Sequence, residues 1–290
     1  MEQENIMALK NSTGTSSKSN NPTLFPISSY VRRLKPTEIE QYEKSGYIKN
    51  LPVFAPEAVS SLQTLFEEFT QRLPESVDIN KTNCWHKASK KFHDLCRVPP
   101  ILDYVEELIG PNFFQWGGQF FVKYPKDGSE VPWHQDAQYW PLTPQNTVTV
   151  WLAIFDVDEE NAAMKIVEGS HKLGIIKHST NNAPHLVLNQ EAEKSMIQDA
   201  NVRTIDLKAG EISLHNDSLL HSSGPNNSDR MRAGITMRFS PTNVKCDLSV
   251  WPNFEINMAR GTDRYKLNPQ SPVPKNELFP VKLFQHSSEF

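Results

Sequence analysis

The sequence predicts an α+β protein in which a layer of helices supports a β sandwich or barrel. Three observations carry that reading. Helical spacing of apolar residues is confined to the part before Pro111. After it come short β-branched or aromatic runs separated by turn residues. A hydrophobic share of 38% against a charged share of 22% sets the 290 residues among globular chains, not disordered ones.

The first 24 residues are rich in Ser, Asn, Thr and Lys and are expected to form a polar tail. A helix start follows at Leu34–Glu40, with Thr37 as the N-cap and Glu40 at the spacing of a capping box. Gly46-Tyr47-Ile48 ends that helix and leads into a short apolar stretch through Val53-Phe54. Val59, Leu62, Leu65 and Phe66 predict a helix from Pro56 to about Arg72. Ile101, Leu102, Val105, Leu108 and Ile109 predict another, stopped by Gly110-Pro111. Strands are expected at 113–124, 148–155, 164–167, 202–207, 211–215, 218–222 and 232–239. The polar segment His171–Ala200 reads as a long excursion between strands, of the kind that forms lids or binding loops. The organisation expected is one domain over 25–290: a helical layer over about 36–110, a β core over about 112–241, and a C-terminal extension over 242–290.

Composition removes several functions. With Lys+Arg 30 against Asp+Glu 34, the chain has no global attraction for phosphate backbones, and no nucleic-acid partner is expected. No apolar run approaches the length of a membrane span, and the polar start lacks the apolar core of a signal peptide. Cys84, Cys96 and Cys246 lie too far apart for a disulfide framework or a zinc knuckle, which suits a reducing cytoplasm.

The chemistry concentrates in Val131-Pro132-Trp133-His134-Gln135-Asp136. Side chains alternate faces along extended backbone, so His134 and Asp136 aim into one space. Such a pair supplies two ligands of a 2-His-1-carboxylate triad, which holds Fe(II) on one face and leaves other positions open. A third ligand can come from His215 or His221, on either side of the Asn216-Asp217 turn signal. Eleven residues beyond His221, Arg232 heads the apolar run Ala233–Met237. An Arg entering a β core beside a metal site suggests a bidentate carboxylate clamp. The other histidines read as structural: His171, His178 and His185 in the excursion, and His86 and His93 in a solvated loop around the basic run Lys87–Lys91.

His134-Gln135-Asp136, Trp151-Leu152-Ala153, Gly169-Ser170-His171 and the block His221-x-Ser223-x-Pro225-Asn226…Arg232-x-Gly234 together resemble the phytanoyl-CoA dioxygenase family, from about Tyr30 to Pro241. The resemblance implies a double-stranded β-helix (jelly roll, cupin-like) and a non-haem oxygenase using Fe(II), 2-oxoglutarate and O2. It implies His134, Asp136 and His221 as iron ligands. Arg232 matches the clamp on the distal carboxylate of 2-oxoglutarate, assisted by Ser223, with Trp151 and Gln119 lining the cosubstrate pocket. Lys123, on the same strand face as Gln119, and Gln138, Tyr139 and Trp140, in the loop after the first ligand pair, are expected to meet substrate.

Departures from the family pattern shape the expectation further. Many relatives carry Asn-Gly-Cys where this chain has Asn161-Ala162-Ala163, a turn or packing change. Halogenating members replace the carboxylate ligand by Gly or Ala; Asp136 is present, so hydroxylation is expected. The peroxisomal address of the animal enzyme is absent from the tail, which puts a CoA-ester substrate in doubt. The substrate expected is a small molecule, a polar zwitterion such as an aminoalkylphosphonate or else a natural-product intermediate. The competing readings are desaturation, epimerisation or ring formation at the same iron site, or a non-catalytic jelly-roll binding protein.

Overall fold

The computed structural model describes residues 25–197 and 200–277; the polar stretch 1–24 and residues 278–290 lie outside the described residues. Helix α1 spans Pro36–Ser45 and α2 spans Pro56–Arg72. Thr37 does not cap α1. Pro36, with no N–H to satisfy, takes the first turn, and the backbone N–H of Lys35 donates to the Glu38 carboxylate at 2.7 Å. Gly46 closes the helix at φ 85°, and the apolar stretch that follows is a strand, β1 (Tyr47–Pro52). Ala58, Leu62, Phe66 and Phe69 form the buried face of α2.

The basic stretch after Cys84 is not a solvated loop. It folds into α3 (Trp85–Ala88) and α4 (Lys90–Leu95), and His86 and His93 are buried. The cause is aromatic. Phe69 meets Trp85, Phe92 and Phe120 with ring centroids 4.4, 5.2 and 5.1 Å apart, so Trp85 and Phe92 pull the segment inward despite its lysines. Helix α5 (Pro99–Ile109) completes the layer and ends at Gly110.

The β core begins with β2 (Phe113–Lys123), β3 (Val131–His134), β4 (Leu142–Thr143), β5 (Val148–Ala153) and β6 (Met164–Val167). It continues with β7 (His178–Thr180), β8 (Gln190–Ala192), β9 (Val202–Ile205), β10 (Glu211–Asn216) and β11 (His221–Ser223). Last come β12 (Arg232–Pro241), β13 (Lys245–Cys246) and β14 (Asn257–Arg260). The larger sheet runs β1-β10-β5-β12-β2-β14 and the smaller β3-β11-β6-β9, antiparallel throughout. This is an α+β jelly roll. The helices cover one face of the larger sheet through Phe66, Phe69 and Phe92, which pack on Phe120 of β2; the other face looks toward the smaller sheet.

Two short two-stranded sheets lie outside these. The excursion contributes β7 and β8, and β13 pairs with β4. From the C-terminal extension, β14 joins the edge of β2. Among the described residues no helix is long and apolar enough to cross a membrane, and Cys84, Cys96 and Cys246 are free.

Candidate metal centre

His134 closes β3, His221 opens β11, and the antiparallel register sets them opposite each other with ring centroids 4.1 Å apart. Each Nδ1 lies against the carbonyl oxygen two residues earlier, Pro132 at 2.8 Å and Leu219 at 2.9 Å. A carbonyl only accepts, so both Nδ1 atoms hold the proton and both Nε2 lone pairs are free for a metal. Burial keeps the His221 imidazole neutral, well below its ordinary value.

Asp136 stands just beyond the end of β3, at the start of a single 3-10 turn over Asp136–Gln138. Gln135 is still extended (φ −110°, ψ 130°), which carries the alternation of faces through the pair. The ligand atoms of His134, Asp136 and His221 all lie within 4.8 Å of one another, a grouping able to hold a metal ion. Burial by itself raises the Asp136 carboxyl. The contact with His134, then the fields of His221 and Arg238, outweigh it and hold the group well below the usual carboxylate range.

His215, left open as a third ligand by the sequence, is on β10 in the other sheet. Its Nε2 is 4.0 Å from the Asp136 carboxylate, and burial lowers its imidazole to about 4, so it stays neutral beside the triad. Between the ligands, Gln135 points away from the metal. Its Nε2 donates to the carbonyls of Gly174 and Ser218, and its Oε1 accepts from Ile176 N–H, which fastens the excursion to the core.

The larger sheet supplies the opposite wall of a cavity holding about 400 Å³ of empty space, part of it open to solvent. Arg232 reaches into it, buried, with its guanidinium carbon 4.8 Å over the Trp151 ring. That stacking needs Gly234: a Cβ there would lie 2.2 Å from the indole. Burial lowers Arg232 to about 10, which leaves it charged at neutral pH. Among the described residues, its Nε and the Ser223 Oγ are buried without a hydrogen-bond partner. A metal triad with open positions, facing a buried cation and an idle hydroxyl, has the donor set for a metal-chelating dicarboxylate.

Residues 42–234, well over half of the chain, match the phytanoyl-CoA dioxygenase family. The chain belongs to that family. Its members are Fe(II)- and 2-oxoglutarate-dependent dioxygenases. The mouse peroxisomal phytanoyl-CoA dioxygenase is 29% identical over 199 residues, 65% of this chain but 56% of that protein, so the match spans little more than half of that relative. A probable alpha-ketoglutarate-dependent hypophosphite dioxygenase of Stutzerimonas stutzeri is 26% identical over 235 residues, 73% of this chain and 78% of that one. The solved structure of CytC3 with Fe(II) and alpha-ketoglutarate superposes with a TM-score of 0.61 at 21% identity, covering 84% of this chain and 98% of that chain. At that identity the likeness speaks for the fold.

The family motifs have physical roles in this chain beyond the ligands. Asn226 Nδ2 donates to the carbonyls of Lys123, Tyr124 and Arg230, tying the segment before β12 to the end of β2. Ser170 Oγ accepts from Leu220 N–H next to the metal ligand. Ala162, in the turn before β6, sits at φ 71°.

Five of the expected pocket residues are engaged elsewhere. Gln119 donates to the Asn80 carbonyl at 2.6 Å, and Lys123 donates its Nζ to the carbonyls of Ser129, Ser223 and Gly224. Tyr139 donates to Gln190 O and Gln138 to Gln190 Oε1, so both meet the excursion, with the Tyr139 ring 6.0 Å from His134. Trp140 is buried edge-on against Trp116, centroids 4.7 Å apart.

Among the cavity residues the sequence reading did not name, the charged one is Arg238, on β12, which lines the same cavity as Arg232. The signal was there in the alternation of Arg232, Gly234, Thr236 and Arg238 along one strand face.

Proposed function

We propose that this chain is an Fe(II)- and 2-oxoglutarate-dependent dioxygenase that hydroxylates a small molecule and releases succinate and CO2. The observation that carries the reading is the pairing, in one cavity, of the His134–Asp136–His221 triad with the buried Arg232, which has no ion-pair partner among the described residues. His134 and His221 offer neutral Nε2 atoms, and Asp136 offers a charged oxygen that offsets part of the metal's charge. Arg232 anchors the far carboxylate of 2-oxoglutarate, Ser223 donates a hydroxyl to it, and Trp151 holds the guanidinium in orientation. When bound, Fe(II) and 2-oxoglutarate supply the oxidation: one atom of O2 goes into succinate and the other into the substrate. Phe121, Val131 and Met164 give the cavity apolar walls that limit water at the reacting centre.

Asp136 occupies the position that would otherwise open to a halide, which favours hydroxylation over halogenation. The jelly roll, the helical layer and the extension act as one domain; β14 on the edge of β2 supports this. Three free cysteines suit a cytoplasmic protein.

The test is anaerobic titration of the metal-free protein with Fe(II) and then 2-oxoglutarate, followed by the visible charge-transfer band of the complex and by succinate formation in air. His134→Ala abolishes the band. Arg232→Gln keeps Fe(II) binding but weakens 2-oxoglutarate. Should either variant behave like the parent protein, its assigned role is lost.

A further inference from the structure

Arg238 is a second buried guanidinium in the cavity, and the dioxygenase chemistry does not use it. It stands six residues along β12 from Arg232 on the same face, in register with Thr149 of β5 and Gly117 of β2. It is 5% exposed, and among the described residues it makes no hydrogen bond or ion pair within 4 Å. Its Nε is buried without a partner. A charged group this deep is normally paired, since an unpaired buried charge is costly.

The surroundings are built to hold that side chain in place. A Cβ on Gly117 would lie 2.9 Å from the Arg238 Cδ, so the glycine makes room for the aliphatic stem to cross β2. The guanidinium carbon then sits 5.0 Å from the Trp140 ring centroid and 5.7 Å from that of Trp116. Indole faces steady a cation without neutralising it, so the donors facing the cavity keep their hydrogen-bonding capacity.

Charge balance says what those donors lack. On the dioxygenase reading, on which this inference rests, Fe(II) and Arg232 are balanced by Asp136 and the 2-oxoglutarate dianion. Lys123 is turned onto backbone carbonyls, and His215 carries no charge. Arg238 feels the Asp136 carboxylate without touching it, and it is left as the one cation lining the cavity with no anion of its own in the loaded site.

We infer that Arg238 is the substrate anchor, and that the substrate carries an oxyanion, a carboxylate or a phosphonate, which the Arg238 guanidinium binds in the cavity shared with the metal. The anion completes the charge of the loaded site, and the bidentate geometry of a guanidinium fixes which substrate carbon faces the metal. Trp140 then contributes to substrate binding by orienting Arg238.

Isothermal titration under anaerobic conditions tests this, with methylphosphonate and propionate as probes and neutral propionamide as control, on protein loaded with Fe(II) and 2-oxoglutarate. At least one anion binds the parent protein, and propionamide does not. Arg238→Gln weakens the anion roughly ten- to hundredfold, Arg238→Lys weakens it less, and 2-oxoglutarate affinity is unchanged in both. Gly117→Ala, which keeps the charge but pushes the stem aside, weakens the probe as well and serves if Arg238→Gln does not fold. The better-bound probe tells phosphonate from carboxylate. The inference is overturned if neither anion binds, if binding survives Arg238→Gln, or if that variant loses 2-oxoglutarate affinity, which would make Arg238 a cosubstrate contact. Failure of Fe(II) and 2-oxoglutarate to bind the parent protein is a separate result and counts against the dioxygenase reading instead.

Discussion

His221 lies directly opposite His134 across the β3–β11 ladder, and each ring donates Nδ1–H to the carbonyl two residues before it. The ladder aligns the rings and the carbonyls choose the tautomer, so the backbone sets both metal-facing lone pairs without a side-chain intermediary. His215 has neither feature: it belongs to the other sheet, and its Nδ1 is buried without a partner. His221→Ala is therefore expected to lower Fe(II) affinity on the order of 100-fold or more, whereas His215→Gln, with no bond to a ligand, costs roughly tenfold, the lower end of what outer residues contribute. Anaerobic Fe(II) titration of the two variants decides it. Equal losses would mean that His215 is a ligand.

Gly234 is the position where the strand must give way to an indole. With a Cβ 2.2 Å from Trp151, Gly234→Ala forces the ring off its place and away from Arg232, whose only aromatic support it is among the described residues. The expected result is a KM for 2-oxoglutarate raised roughly tenfold, the scale of a cation–π contact in a dry site. Fe(II) binding remains, because both histidine ligands sit on the smaller sheet and Asp136 follows directly after its β3. A KM equal to the parent's would show that the stacking does not orient the clamp.

What the sequence disclosed and what it withheld follow a physical division. His134, Asp136 and the Gly-Ser-His and Pro-Asn motifs were legible because their work is local or tied to the backbone, and such work leaves a fixed spacing. Alternation along one strand placed His134 and Asp136 together even though the strand ends between them. Burial of His86 and His93 was not legible, because it depends on Phe69 and Phe120, which approach only when α2 packs on β2. β1 read only as a short apolar stretch for a similar reason: its pairing partner, β10, comes more than a hundred residues later. Lys123 and Gln119 share a strand face with the cavity, but the sequence does not reveal that backbone carbonyls of other segments take up their donors.

Asp217 makes stability depend on pH. Burial raises its carboxyl to about 6, against about 3.9 in an unfolded chain. The native state thus holds a proton that the unfolded state has lost between those values. The group's favourable contribution is complete below about 4, falls as pH rises, and is gone above about 6. Asp217→Asn removes the titration while its amide oxygen can still accept from Thr147 N–H. Thermal melts of the metal-free protein are expected to show the variant gaining on the parent as pH goes from about 4.5 to about 7.5. A pH-independent difference between the two proteins would rule out the linkage.

Ala162 turns the chain between Asp158 and β6 at φ 71°, a left-handed conformation that costs an L-residue roughly 1–2 kcal/mol. Asn161 stabilises the same turn by accepting from Asp158 N–H and donating to Asp156 O, and Ala163 N–H donates to Asp158 O, so the backbone cannot relax to negative φ without losing those bonds. Glycine adopts this conformation freely but gives up more entropy on folding, which offsets about half of the gain. Ala162→Gly is accordingly expected to raise stability by about 0.5–1 kcal/mol, a Tm increase of roughly 1–2 °C for a chain of this size. Calorimetry on the two proteins measures it, and a lower Tm for the variant would mean that the alanine methyl, buried in the turn, contributes more by packing than it costs in strain.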